Sequence, residues 1–442
     1  MGLLAASEVG RQTHMRSRFG SRHPGLWLIY GYLLSALAFL WRRLMFRTTF
    51  IAITGSLGKT TATECLAAIL ASRFPTNATL EGGNARHRLA ATILRTRFRH
   101  RFTVIEVGTK LPGALRRAAW MVDPDVVVVL AVAGTHTQSF RTLEEAAAEK
   151  AQLLSRLGPG GLAVLNGDDP RVLAMADRGR FRVQTFGSSP QFDLWANEVS
   201  SRWPARLSFQ VHRGTESHRV STRLVGEQWV TSVLAALTTA LACGVDLEAA
   251  VAALGRVEPA RGRMQPVLLP SGATMLRDEF NPSIASFPAA LRVLEQADVR
   301  RRLVVLADLT DSRRKPSQRL QDLARQAARL ADVLLIVGEH GKLALRAAVA
   351  ASMKPETVHG FITPPDAAAF LQTQLREGDL VLLRGCHTTQ MSPIYFAQLG
   401  TLGCTKPHCR GISLCDHCPE LGPGLEKTGA LPAPPRPYWK PR

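Results

Sequence analysis

Aromatic residues are scarce, at 6% of a 442-residue chain. No basic–aromatic stretch resembles a module that stacks RNA or DNA bases. Acidic residues are also few: 35 Asp and Glu face 55 Lys and Arg, leaving a formal charge of +20. That excess fits an anionic partner such as a nucleotide, a nucleic acid or an acidic lipid surface, and charge alone does not choose among them. No internal repeat is evident. Charged residues make up 20% against 46% hydrophobic, so the chain is neither wholly disordered nor fibrous. Its length implies two or three domains, each able to bury a core.

The seven cysteines are unevenly spread. Cys65, Cys243 and Cys386 are isolated and read as buried thiols. Cys404, Cys409, Cys415 and Cys418 crowd into CTKPHCRGISLCDHC. No cleavable signal peptide precedes the nucleotide motif described below, so the expected compartment is reducing and the thiols point to metal rather than disulfides. Their spacing suits a compact Zn²⁺ knuckle with a structural role, an Fe–S cluster being the alternative. His408 and His417 read as bystanders, the alternative being that one replaces a Cys as ligand.

Residues 24–41 carry no charge, with Arg16, Arg18 and Arg22 before them and Arg42, Arg43 and Arg47 after. Trp27, Tyr30, Tyr32 and Trp41 suit a membrane interface, although the run is at the short end for a spanning helix. It predicts a membrane anchor, spanning or interfacial, with a helix packed on the following domain as the alternative. Basic residues on both flanks leave its orientation open. ATP chemistry at the loop described below would require the rest of the chain to lie on the cytoplasmic face, that of a bacterial inner membrane.

From residue 48 apolar runs such as FIAIT, FTVIEV, VVVVLAV and LAVLN alternate with Ala- and Leu-rich stretches. This pattern predicts an α/β fold with a mostly parallel sheet. A second series begins near Met264 and reads as a smaller Rossmann-like domain. The expected organisation is an anchor over 1–47, an ATP-binding central domain over 48–262, a Rossmann-like domain over 263–400, a four-cysteine metal knuckle over 401–420 and a flexible Pro-rich tail over 421–442. Between the two series, residues 190–225 predict a short β excursion.

Thr54–Thr61 reads TGSLGKTT between the strand FIAIT and a helical stretch. Gly55 and Gly58 free the backbone N–H groups of Ser56, Leu57 and their neighbours to face phosphate, and the helix start adds its dipole. Lys59 would reach the terminal phosphates, Thr60 would ligate Mg²⁺, and Thr61 completes the loop. The site is therefore expected to bind ATP with Mg²⁺.

With this loop the sequence resembles the Mur ligases, especially the branch that adds D-Ala-D-Ala to the muramyl tripeptide, over roughly residues 48–400. The resemblance implies an ADP-forming amide ligase that activates a carboxylate as an acyl phosphate and lets an amine displace the phosphate. Glu106 in VIEVG and His136 in AGTHTQSF match the family's metal-associated positions. Lys150 matches a lysine that the family carbamylates to hold a second Mg²⁺. Asn84 in EGGN would contact the acceptor. Asn166 and Asp168 in LNGDDPRV match a turn that closes the central sheet. Ser232 falls where the family supplies an Asn to adenine. Arg263 matches an arginine facing the transferred phosphate. In MLRDEFNPSIAS, Asp278 would lie near the ribose and Asn281 near substrate, with Ser286 matching a later serine. Arg277 stands where the family has another Asp, and Arg384, Cys386 and His387 replace a Lys, a Ser and an Arg.

Only 47 residues precede the nucleotide domain, so the domain that grips a UDP-sugar is expected to be absent. An anchor joined to such a core resembles the layout of poly-γ-glutamate synthase. The resulting expectation is a membrane-associated ligase for a small-molecule or peptide-like carboxylate and an amine, with no nucleic-acid partner. A P-loop ATPase or kinase, or a non-catalytic nucleotide-binding scaffold, are the alternatives.

Overall fold

The structure is a computed structural model that describes residues 24–80, 82–108, 111–134, 139–280, 282–309, 314–386, 389–400, 402–404, 406 and 415–418. The chain divides into two compact units. One comprises Gly25–Ser201 with Arg206–Ala260, the other Arg202–Ala205 with the chain from Arg261 on.

The first unit is built on a nine-stranded sheet. Its strands are β1 (Thr49–Thr54), β2 (Thr76–Ala78), β3 (Phe102–Glu106), β4 (Val126–Val129), β5 (Leu162–Asn166), β6 (Arg182–Gly187), β7 (Leu194–Ser200), β8 (Ser208–Arg213) and β9 (Glu216–Ser221). They lie in the order β2-β3-β1-β4-β5-β6-β7-β8-β9. Pairing is parallel as far as β7 and antiparallel across β7–β8–β9. The polar excursion expected over 190–225 is thus the antiparallel edge of this sheet.

The central strands read as unbroken apolar runs because both of their faces are covered. Ile51, Ile53, Val104, Val128 and Val164 point to one core with helices Lys59–Ala71, Val230–Ala242 and Leu247–Leu254. Phe50, Ala52, Ile105, Val127 and Val129 point to the other, with helices Arg86–Arg95, Ala114–Val122 and Leu143–Ala151. The chain leaves β1 toward β2 and β3, then returns to β4 on the opposite side. The carboxyl ends of β1 and β4 therefore flank a topological switch point, where open α/β sheets hold ligands.

Helix Pro24–Leu44 belongs to this unit. Leu34, Ala38, Trp41 and Met45 pack onto the second core. Trp41 Nε1 donates to the Thr96 carbonyl at 2.9 Å, and Arg42 Nη2 pairs with Asp125 at 3.0 Å. Among the described residues no helix is long and apolar enough to cross a membrane.

The second unit carries six strands: β10 (Gln265–Leu268), β11 (Thr274–Asp278), β12 (Arg302–Ala307), β13 (Val333–Val337), β14 (Val358–Phe361) and β15 (Leu380–Arg384). Their order is β10-β11-β15-β12-β13-β14, with β10 antiparallel to β11 and the rest parallel. Helices such as Phe287–Glu295, Pro316–Ala327 and Pro364–Gln374 connect the strands. Both units are thus α/β with mixed sheets.

Candidate active site

The loop after β1 is shaped by two glycines with positive φ. Gly58, at φ 79°, caps helix Lys59–Ala71, and a Cβ there would lie 2.4 Å from Ser232 Oγ. Gly55 has φ 155°, and its Cβ would meet Leu130 at 2.9 Å. Neither position admits a side chain without displacement. Ser56 ties the loop to the end of β4: its N–H donates to the Ala131 carbonyl at 2.8 Å, and its Oγ accepts from Ala133 N–H at 2.9 Å. Ser232, fully buried on helix Val230–Ala242, donates to the Gly58 carbonyl at 3.1 Å. Its hydroxyl therefore braces the loop from behind. Lys59 Nζ lies at the loop itself, donating to the Gly55 carbonyl at 2.8 Å. Leu57 and Thr61 complete the turn and the first helical residues.

Parallel pairing sets Ile53 of β1 opposite Glu106 of β3, so the Glu106 carboxylate emerges beside the loop. Thr60 Oγ1 donates to Glu106 Oε2 at 2.7 Å, and Asn84 Nδ2 donates to Glu106 Oε1 at 3.0 Å. The Glu106 N–H donates to Thr79 Oγ1 at 3.1 Å, fixing the strand end. Thr60, Asn84 and Glu106, far apart in sequence, thus form one hydrogen-bonded cluster next to Lys59. Hard oxygens on a threonine and a buried carboxylate are donors of the kind Mg²⁺ takes.

Lys150 lies on helix Leu143–Ala151, and its side chain is 4% exposed. Burial, reinforced by the like charge of Lys59, brings its amine down to about 8, while Glu149 and Asp169 pull the other way. The Glu149 carboxylate accepts from the N–H groups of Gly113 and Leu115, at 2.8 and 2.9 Å. Asp169 accepts from Val132 N–H at 2.7 Å and caps the short helix Pro170–Leu173. Sequence reasoning passed over Asp169, although an Asp directly before Pro is a readable helix start. Asn166 acts structurally, donating to the Leu130 carbonyl at 2.7 Å.

In the second unit Arg263 stacks over Phe280, 5.3 Å from its centroid. Strand register sets Asp278 of β11 opposite Arg384 of β15, and the two form a buried ion pair. Arg384 also donates to Ser286 Oγ at 2.7 Å, and Asp278 accepts from Met264 N–H at 3.3 Å. Asp278 and Ser286 of one motif and Arg384 of another are therefore brought together. Arg277 is a further buried cation, paired with Glu279 at 2.5 Å and with Asp416 at 2.8 Å, and lying over the Tyr395 ring at 4.2 Å. No motif signalled Asp416 in advance.

His136, Asn281 and Cys409 lie outside the described residues. Cys415 and Cys418 pack against the second unit's core, and Cys404 is half-buried. Among the described residues no three His, Cys, Asp or Glu side chains are grouped to hold a metal ion.

Known proteins share this architecture. The Mur ligase middle domain matches residues 53–240, and the Mur ligase, glutamate ligase domain matches residues 262–387. The UDP-N-acetylmuramoyl-tripeptide–D-alanyl-D-alanine ligase of Mycobacterium tuberculosis is 30% identical over 382 residues, spanning 81% of this chain and 75% of that protein. The Escherichia coli protein of the same name is 28% identical over 60% of this chain and 59% of its own. A crystal structure of MurF from Acinetobacter baumannii superposes with a TM-score of 0.76 at 26% identity, covering 83% of this chain and 80% of that one. With both domain matches falling on the two units just described, the chain belongs to the Mur ligase family as a MurF-like, ATP-dependent, ADP-forming acid–amino-acid ligase.

Proposed function

We propose that the protein joins the carboxylate of an anionic, peptide-like acceptor to an amine or amino acid at the cytoplasmic face of the bacterial inner membrane. The observation that carries this reading is the Thr60–Glu106–Asn84 cluster beside Lys59. Gly55 to Thr61 would cradle the ATP phosphates, with Lys59 countering their charge. Thr60 and Glu106 would hold Mg²⁺, and His136 with Lys150, carbamylated as the family resemblance implies, would hold a second ion. When bound, Mg²⁺ neutralises phosphate charge and orients the phosphoryl group. Asn84 and Asn281 would position the acceptor, whose carboxylate oxygen attacks the γ-phosphorus as the bond to ADP breaks. The amine nitrogen then attacks the acyl carbon, inorganic phosphate leaves and the nitrogen gives up a proton. Arg263 would stabilise the charge on the transferred phosphoryl group. Asp278 would lie toward the ribose, and Ser232 would hold the loop on the nucleotide.

The test is hydroxylamine trapping with ATP and candidate acceptors, UDP-N-acetylmuramoyl-tripeptide among them. A hydroxamate formed with stoichiometric ADP, and lost in Lys59→Ala, is the expected result. ADP release without hydroxamate or amide for any acceptor would count against an acyl phosphate.

We also propose, from their spacing, that Cys404, Cys409, Cys415 and Cys418 bind a structural Zn²⁺. Elemental analysis is expected to find about one zinc per chain, lost in Cys415→Ser. A coloured, iron-containing protein would replace zinc with a cluster.

A further inference from the structure

Helix Pro24–Leu44 has a second face that its packing does not use. Leu33, Leu37, Leu40 and Leu44 are 60%, 56%, 59% and 55% exposed, and their spacing sets them in one stripe along successive turns. Aromatic rings extend the stripe sideways. Exposed Trp120 stacks on Phe39 at 4.6 Å, and exposed Phe98 lies 5.8 Å from Trp41. Phe46, 80% exposed, continues it past the helix end. Contiguous apolar surface of this kind marks an interaction site.

The surroundings say what it meets. Arg43 and Arg47 are exposed at the helix end, and Arg97 and Arg99 are exposed on either side of Phe98. Between Pro24 and Val122 the sequence holds acids only at Glu64, Glu81 and Glu106, and Glu106 is buried in the candidate site. A leucine stripe edged by arginines, with interfacial aromatics and with its neighbouring acids Asp123 and Asp125 paired to Arg156 and Arg42, is complementary to anionic headgroups over an acyl layer. A second copy of the same face would oppose arginine to arginine, which disfavours self-pairing.

We propose that this face docks on an anionic phospholipid bilayer, the helix lying in the headgroup plane with its leucines in the acyl boundary. This gives a surface to the membrane placement proposed above. It is read without the ligase reaction, so either can fail while the other stands.

The experiment is co-sedimentation of the full chain with vesicles of phosphatidylglycerol and phosphatidylcholine, against phosphatidylcholine alone, in about 0.1 M and about 0.5 M salt. Binding to the anionic vesicles is expected, weakening with salt. The variant L33Q/L37Q/L40Q/L44Q should bind more weakly by about tenfold or more, with its thermal melt unchanged. Should that variant unfold, quenching of tryptophan fluorescence in the unaltered chain by acyl-brominated phosphatidylglycerol decides the matter. Absent quenching or sedimentation overturns the proposal. So does equal binding by a folded variant, which would mean adsorption by charge alone. A concentration-dependent dimer in ultracentrifugation without lipid, abolished by the same substitutions, would assign the face to self-association instead.

Discussion

The Lys150 amine is buried within the field of Lys59, and its pKa falls to about 8 from the ordinary 10.5. Below about pH 8 the folded chain must keep a buried ammonium, and the full penalty applies. As pH rises from about 8 to about 10.5, the unfolded chain holds this proton more tightly than the folded one, so the penalty is progressively relieved. Lys150→Met should therefore stabilise the protein near pH 7 by about 1–3 kcal/mol, with the gain shrinking as pH approaches 10. Urea melts across that range, in buffer depleted of carbon dioxide and without added nucleotide, measure it. A gain independent of pH would mean that the substitution acts through packing. The lysine was legible from its motif, but its burial was not. Nothing in EEAAAEKAQ distinguishes an inward-facing lysine from one on the solvated side of a helix.

Between elements, strand β11 and the segment 415–418 are held by one buried cation. Arg277 is 1% exposed and answers both Glu279 and Asp416. Removing it would strand two carboxylates away from water, so Arg277→Met should cost about 3–5 kcal/mol. Asp416→Asn leaves the Arg277–Glu279 pair intact and should cost about 1–2 kcal/mol. Chemical denaturation of the two variants tests the ordering, and equal losses would show that Asp416 carries most of the cation's stabilisation. In sequence Arg277 was only a departure from a family motif. Its reason lies 139 residues downstream, in a cysteine-rich stretch that spacing explained by metal alone. Helix Pro24–Leu44 illustrates a related limit. Apolar residues all round it conceal which face is packed, and an uncharged run reads alike whether it crosses a bilayer, lies on one or covers a sheet.

Across the whole molecule, the α/β alternation and the phosphate loop were legible because parallel strands covered on both faces leave uninterrupted Val, Ile and Leu runs. Strands β7, β8 and β9 were less so. Being solvated on one side, they read as polar alternation, and only pairing revealed them as the continuation of the central sheet. The +20 charge divides in the same way: the sequence shows its size, while the folded surface shows where it borders exposed leucine. The contact between Ser232 and Gly58 has a consequence for anyone dividing this chain. A left-handed glycine near the start of the first unit is held by a hydroxyl on one of its last helices. The shortest fragment that keeps a correctly shaped phosphate loop must therefore run through Ala242, and a chimera that imports a foreign loop must import that helix with it.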